Sequence, residues 1–267
     1  MFQFTFHETS FAHKVDFASS PGDEFYKHMH PFFEVIYLVE GTVDFHIEGN
    51  TYQLNNGDIL LIQPGKYHFA MVNRNNRYER YVLKLSESLL PKHVAFLASS
   101  IGARFNHCEA MLPLFQDLDR YAEIYEKEDF YSLCLAKIIE IIVTLSKHPE
   151  ASSSEVGIAT IAQEITAYIE QHLSEHLTLN SIASALHYSP SYVATMFKTE
   201  MHVPLMQYIR SKKIHASLAL ISHGMKPQEA ASAMGFADYS TFYRCYLKII
   251  GKRPSEIKRS GLSPEEE

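Results

Sequence analysis

Ser189-Pro190-Ser191-Tyr192-Val193-Ala194-Thr195-Met196-Phe197-Lys198 and Asp238-Tyr239-Ser240-Thr241-Phe242-Tyr243-Arg244-Cys245-Tyr246 are two versions of one segment, and their reading decides the fold of the C-terminal half. Each opens on a residue whose side-chain oxygen can cap a helix. In the first copy Pro190 stands at the first helical position, where its missing N–H costs nothing. Four and eight residues past each cap comes an apolar or aromatic residue, Val193 and Phe197 in one copy, Phe242 and Tyr246 in the other, which marks one buried stripe of a helix. A shorter pattern precedes each segment: Leu179, Ile182, Ala183 and Leu186 before a break at His187-Tyr188, and Ala231 before Gly235-Phe236. Residues 178 to 259 therefore predict helix, tight turn, helix, twice over.

Opposite the buried stripe, the first copy carries Ser191, Ala194, Thr195 and Lys198, with Pro190 at its tip, and the second carries Tyr239, Ser240, Thr241 and Arg244. These groups suit double-stranded DNA: Arg can bind guanine in bidentate fashion, Thr or Ala can touch a thymine methyl, and helix N-termini attract phosphate. A single copy would read equally well as a helix with a solvated face. Two copies in tandem favour a DNA reader.

Charge separates along the chain. The whole carries −7, but residues 1–159 hold −8, residues 160–260 hold +4, and Glu265-Glu266-Glu267 supply −3. A positive field confined to the half with the repeated helices is what phosphate attraction requires. No apolar run approaches the length of a membrane span, and the start Met1-Phe2-Gln3-Phe4-Thr5-Phe6-His7 lacks the order of a signal peptide, so the expected location is the cytoplasm, without a membrane partner. Cys108, Cys134 and Cys245 are scattered and odd in number, which points to buried free thiols rather than a disulfide framework or a cysteine metal site.

The stretch from Tyr168 to Lys258 resembles the DNA-binding domain of AraC/XylS-type transcription regulators. The likeness is carried by Leu179, Ile182, Ala183 and Leu186, by Ser189 with Phe197-Lys198, by Tyr208-Ile209, Ile214 and Leu220-Ile221 in a connecting helix, and by Ala231, Gly235-Phe236, Asp238, Gly251 and Pro254. It implies two helix-turn-helix units joined by a long helix. His187 and His202 stand where that family usually has glycine, Lys213 where it has arginine, and Thr195 where arginine is common. A non-glycine residue at such a turn has to accept a left-handed backbone at about 1 kcal/mol.

In the first half, short alternating segments, Phe33–Val39, Val43–Glu48, Ile59–Ile62 and Tyr81–Leu85, are broken by Glu48-Gly49-Asn50 and Asn55-Asn56-Gly57-Asp58, which predicts an all-β barrel or sandwich. Within it, Gly22, His28-x-His30, Glu34 and Gly41, followed by Gly57-Asp58 and Pro64-Gly65-x-x-His68, resemble the two cupin motifs. Pro64 sits one place and Asn73 two places past the cupin pattern. His28, His30 and Glu34 share even parity, so on one extended strand they would point to the same face. Such imidazoles and a carboxylate could hold a divalent metal such as Zn, Fe or Mn. By resemblance to the sensor halves of AraC-type regulators, the same His28, His30, Glu34 and His68 would line a pocket for a small-molecule effector, often a sugar; the remaining alternative is histidines that only satisfy internal hydrogen bonds. No cofactor is assigned.

Residues 107–147 carry helix-period apolar positions, among them Leu114, Leu118, Tyr121, Ile124, Ile138, Ile139, Ile142 and Val143. The second run is apolar enough to pack on two sides, with Ile142 assigned to the outer one. Resemblance to the family makes this region a homodimer interface.

The reading is thus an α+β chain. Residues 1–148 form a cupin-like β-barrel with a helical dimerisation segment, 149–156 a linker, 157–260 an all-α double helix-turn-helix domain, and 261–267 an acidic tail. Its expected function is a sequence-specific transcription regulator, not an enzyme. The alternative is a metal-dependent cupin enzyme with an accessory helical domain; two capped helices with matching polar stripes argue against it.

Overall fold

The computed structural model describes residues 2–6, 8–17, 27–72, 77–101, 103–148, 151–152 and 160–257. The chain divides into two units, residues 1–157 and 158–267.

In the first unit the elements run β1 (Phe2–Phe6), β2 (Thr9–Phe17), β3 (Phe32–Glu40), β4 (Val43–Ile47), β5 (Asn50–Leu54), β6 (Ile59–Ile62), β7 (His68–Val72), β8 (Arg77–Ser86), α1 (Lys92–Ser100), β9 (Arg104–Phe105), α2 (Leu112–Ile124), α3 (Lys127–Leu145) and β10 (Ala151–Ser152). They make a seven-stranded sheet in the order β1-β2-β8-β3-β6-β9-β10 and a three-stranded sheet in the order β5-β4-β7, with every strand pairing antiparallel.

Strand alternation divides the large sheet into two faces. Phe33, Val35 and Tyr37 of β3, Ile59 and Leu61 of β6, and Tyr81, Leu83 and Leu85 of β8 pack with Val94 of α1, Phe115 and Leu118 of α2 and Phe130, Ile138 and Ile142 of α3. The alternate residues Ile36, Leu38, Leu60, Ile62 and Tyr78 meet Val43, Phe45, Leu54 and Val72 of the small sheet. A period of two thus builds two cores from one sheet, one against helices and one between the sheets. Glu34 belongs to the second set by parity.

In the second unit α4 (Ile161–Gln171), α5 (Leu179–Ala185) and α6 (Pro190–Met201) pack together and onto α7 (Leu205–Ser222), while α8 (Pro227–Ala233) and α9 (Tyr239–Ile250) pack on the same long helix. The caps are the expected ones: the Ser189 hydroxyl accepts from the Tyr192 N–H, and the Asp238 carboxylate from the Thr241 N–H. Val193, Phe197, Phe242 and Tyr246 are fully buried. His187 and His202 do adopt left-handed backbone, at φ 59° and 54°, as Gly235 and Gly251 do at 65° and 76° in the equivalent turns. Tyr188 and Phe236 then close the two turns alike, donating to the carbonyls of Ala183 and Ala231.

Two expectations change. His28 and His30 are not on the strand that carries Glu34: β3 starts only at Phe32, after Pro31, which has no N–H to give a ladder. Ile142 is not an outer residue but is fully buried under the large sheet, and its neighbour Val143 is the exposed one, at 37%. Residues 149–156 are described only at Ala151 and Ser152, which pair with Phe105 and Arg104. Gly22, Asn73 and the acidic tail lie outside the described residues.

Candidate functional site

Two regions carry chemistry, one in each unit. In the helical unit the outer stripes of α6 and α9 are accessible: Pro190, Ser191, Thr195, Lys198, Tyr239, Ser240 and Arg244 are exposed, and Ala194 and Thr241 are half-buried. Lys198 makes no hydrogen bond or ion pair with a described residue, and Arg244 makes only a 3.5 Å contact to the Thr241 hydroxyl. Both cationic heads are therefore available to an anion. Sequence reasoning passed over Tyr188 and Tyr192, whose rings lie 5.3 Å apart at the start of α6 and remain exposed. Tyr188 is oriented by a hydrogen bond from its hydroxyl to Glu164, and that carboxylate pushes its own ionisation upward. Their offset from the buried Val193 was the available signal.

In the first unit His28, His30, Glu34 and His68 come together, with one ligand atom from each within 4.8 Å of the others. Three segments supply them. Glu34 projects from β3 between the sheets, His68 begins β7, and the residue-27-to-31 segment lies against β7 through reciprocal backbone hydrogen bonds between His28 and His68, at 3.1 and 3.0 Å. His30 Nε2 is 2.7 Å and His68 Nε2 3.1 Å from the same oxygen, Glu34 Oε2. The second contact is off the hydrogen-bonding direction, so His68 Nε2 is buried without a hydrogen-bond partner among the described residues. Lys84 Nζ stands 3.4 Å from the other oxygen, Oε1.

Each ring also has a contact on its far side. His30 Nδ1 lies 3.1 Å from the Phe32 carbonyl and His68 Nδ1 2.8 Å from the Lys66 carbonyl. A carbonyl and an ionised carboxylate both only accept, so a neutral ring can donate to one of them and turns a lone pair to the other, and only the doubly protonated ring serves both. A lone pair and a carboxylate oxygen at 2.7 Å repel unless a hydrogen or a metal ion stands between them. The contact therefore calls for hydrogen on Nε2, in the neutral or the charged ring, or for a metal ion. Burial lowers the pKa of His30, against the pull of Glu34. Burial alone would raise the Glu34 carboxyl, but His30, His68 and Lys84 together hold it well below the usual range. The four residues fit a metal such as Zn, Fe or Mn, because imidazoles backed by carbonyls through Nδ1–H are the usual form of histidine ligands.

Comparison with known proteins separates the two units in the same way. Residues 14–118 match the AraC-like ligand binding domain family, and residues 182–260 match a helix-turn-helix domain family. The chain is 26% identical to an uncharacterized HTH-type transcriptional regulator, YobQ, of Bacillus subtilis, covering 86% of this chain and 87% of that one. It is 24% identical to a second, YisR, of the same organism, covering 89% of each. Among solved structures, ToxT from Vibrio cholerae, bound to an unsaturated fatty acid, is 17% identical over 96% of this chain and 98% of that one, with a TM-score of 0.41. No helix among the described residues is long and apolar enough to cross a membrane.

Proposed function

We propose, from the premise that this chain is a transcription regulator of the AraC type with a ligand-binding domain ahead of its helix-turn-helix domain, that α6 and α9 read successive major grooves of duplex DNA under the control of a small molecule held at His28, His30, Glu34 and His68. In this reading Arg244 and Tyr239 to Thr241 face bases from α9, Ser191, Ala194 and Thr195 do so from α6, and Pro190 and Lys198 lie along phosphate. The first unit is a cupin-like effector domain, and its effector is a hydroxyl-bearing molecule such as a sugar, whose groups hydrogen-bond to imidazole and carboxylate. Control is a population shift: an effector that binds one arrangement of a homodimer more tightly biases it by its differential affinity and no further. Residues around 149–156 link the units, and the protein acts in the cytoplasm without catalysing a reaction.

The observation that carries the DNA reading is the repetition itself. Two helices start on side-chain caps, bury residues four and eight places on, end in left-handed residues, and leave polar stripes outward. A packed enzyme accessory has no need for that duplication, and the curated relatives are transcriptional regulators. The test is a fragment of residues 158–260, titrated with promoter-length duplexes from about 50 to 200 mM salt. Affinity should fall steeply with salt; a salt-independent or absent interaction refutes the reading.

A second reading of the ligand cluster has its own support, two imidazole nitrogens converging on one carboxylate oxygen. There His28, His30, Glu34 and His68 hold a divalent metal, which supplies Lewis acidity or simply rigidity at the effector site. Elemental analysis of protein made without a His tag separates the two: about one metal per chain, with destabilisation by chelator, favours the metal.

A further inference from the structure

The inner face of the large sheet carries more positive charge than its neighbours neutralise. Alternation puts Lys14 and Asp16 of β2 and Arg80 and Lys84 of β8 on the face that carries Glu34, with Lys14 opposite Arg80 and Lys84 opposite Glu34 in the ladders. Arg80 is satisfied, since its guanidinium pairs with Asp16 at 2.7 Å and lies 3.8 Å from the centre of the Tyr78 ring. Lys84 has to share Glu34 with two histidines that claim the other carboxylate oxygen. Lys14 is half-buried and makes no hydrogen bond or ion pair with any described residue. Burial and the nearby Arg80 and Lys84 lower its pKa, more than Asp16 and Glu34 restore it. Ala12 and Val82, paired in the ladder between the two lysines, supply a buried apolar floor.

We propose that this face is an anion site, and that the effector is a small organic acid whose carboxylate or phosphate is neutralised by Lys14 and Lys84 while the Glu34–histidine cluster hydrogen-bonds its hydroxyl or carbonyl groups. The proposal rests on the reading of this face as the effector site and narrows the ligand class. A neutral sugar closing over the face would strip water from Lys14 and return no counter-charge, which is costly for a cation; an acid supplies the charge and a charge-assisted hydrogen bond at once.

The experiment is calorimetric and thermal-shift titration of the full-length protein, at constant ionic strength, with matched probes: gluconate and glucose 6-phosphate against glucose, hexanoate against hexanamide, and inorganic phosphate against chloride. At least one acid should raise the melting temperature with the logarithm of its concentration and bind about tenfold or more tighter than its neutral partner. Lys14→Met should abolish that preference, and Lys14→Arg should keep it. The carboxylate and phosphate arms tell which anion is taken. A neutral probe that binds as tightly as its acid overturns the anion assignment while leaving an effector site on this face. An acid whose affinity survives Lys14→Met, or no response to any acid, overturns it too. Ligand-free Lys14→Met should melt no more than a few degrees below wild type, because Lys14 has no hydrogen-bond or ion-pair partner among the described residues to lose; a fall of more than about 5 °C would show a structural lysine and sink the proposal.

Discussion

Gly235→Ala tests how the two helix-turn-helix units are joined. A Cβ at residue 235 would lie 2.5 Å from the Ser174 carbonyl oxygen and 2.9 Å from that of Glu175, backbone atoms of the segment between α4 and α5. Lys213, buried in α7, fastens the same place by donating to the carbonyls of Glu175 at 2.5 Å and Met234 at 2.7 Å. An alanine there meets two costs. Its left-handed backbone, φ +65°, costs about 1–2 kcal/mol. Ordinary contact begins near 3.4 Å, so the segments must also part by about 0.9 Å, a backbone shift of the kind that costs about 1–3 kcal/mol. Gly251 is the control, because it holds φ +76° with nothing within 4 Å of its would-be Cβ. At roughly 4–8 °C per kcal/mol for a unit of about 100 residues, Gly235→Ala should lower the melting of the helical unit by roughly 8–40 °C and Gly251→Ala by roughly 4–16 °C. Scanning calorimetry of the full-length protein reads both. Equal shifts for the two variants would refute the close approach of the turn to residues 174–175.

Three further outcomes are expected. Arg244→Ala should cost about 1–3 kcal/mol on a preferred duplex and relax preference at one position, whereas Lys198→Ala should weaken all duplexes alike; competition binding on randomised sites distinguishes them, and uniform loss in both would remove Arg244 from base reading. Val143→Glu, on the exposed side of α3, should dissociate a homodimer while leaving the fold intact, and Ile142→Glu, fully buried, should unfold the unit; sedimentation and circular dichroism give the two readouts, and a wild type that stays monomeric at high concentration refutes the interface. Burial pushes the thiols of Cys108 and Cys134 up to about 12, so a disulfide reagent near pH ~8 should modify only the half-buried Cys245 in native protein and reach the other two on unfolding; rapid native reaction of all three would contradict the burial.

The helical unit was legible because its rules are local. A cap acts within three residues, a buried stripe repeats within eight, and Ser189 and Asp238 obey both. The left-handed histidines at 187 and 202 were readable through the family resemblance, which has glycine at both places, and glycines 235 and 251 hold the equivalent turns of the second copy. One helix escaped: α4 opens on the capping box Thr160-x-x-Gln163 and buries Ile165 and Ile169, yet the resemblance begins at Tyr168, in its last turns. That box was a sufficient signal by itself.

The sheets were legible only where one face is plainly apolar, as in β3, β4 and β6. β2 escaped because both its faces carry polar groups. His13, towards the helices, sits between Asp119 at 2.7 Å and Glu79 at 2.9 Å, while Lys14 and Asp16 face the other way, so alternation of polar and apolar residues is erased. The same fact explains the candidate site. His28, His30 and Glu34 do converge, but not by the parity of one strand: Pro31 interrupts it, and a backbone bridge to His68, forty residues along the chain, returns the histidines to Glu34. Lys14 and Lys84 depend even more on register, since a one-residue slip of β2 against β8 would turn Lys14 towards the helices and His13 inward. Motif spacing can name ligands that lie close in sequence. The charge facing them is set by strand pairing, and it is that charge, rather than the histidines, that distinguishes an acid from a sugar.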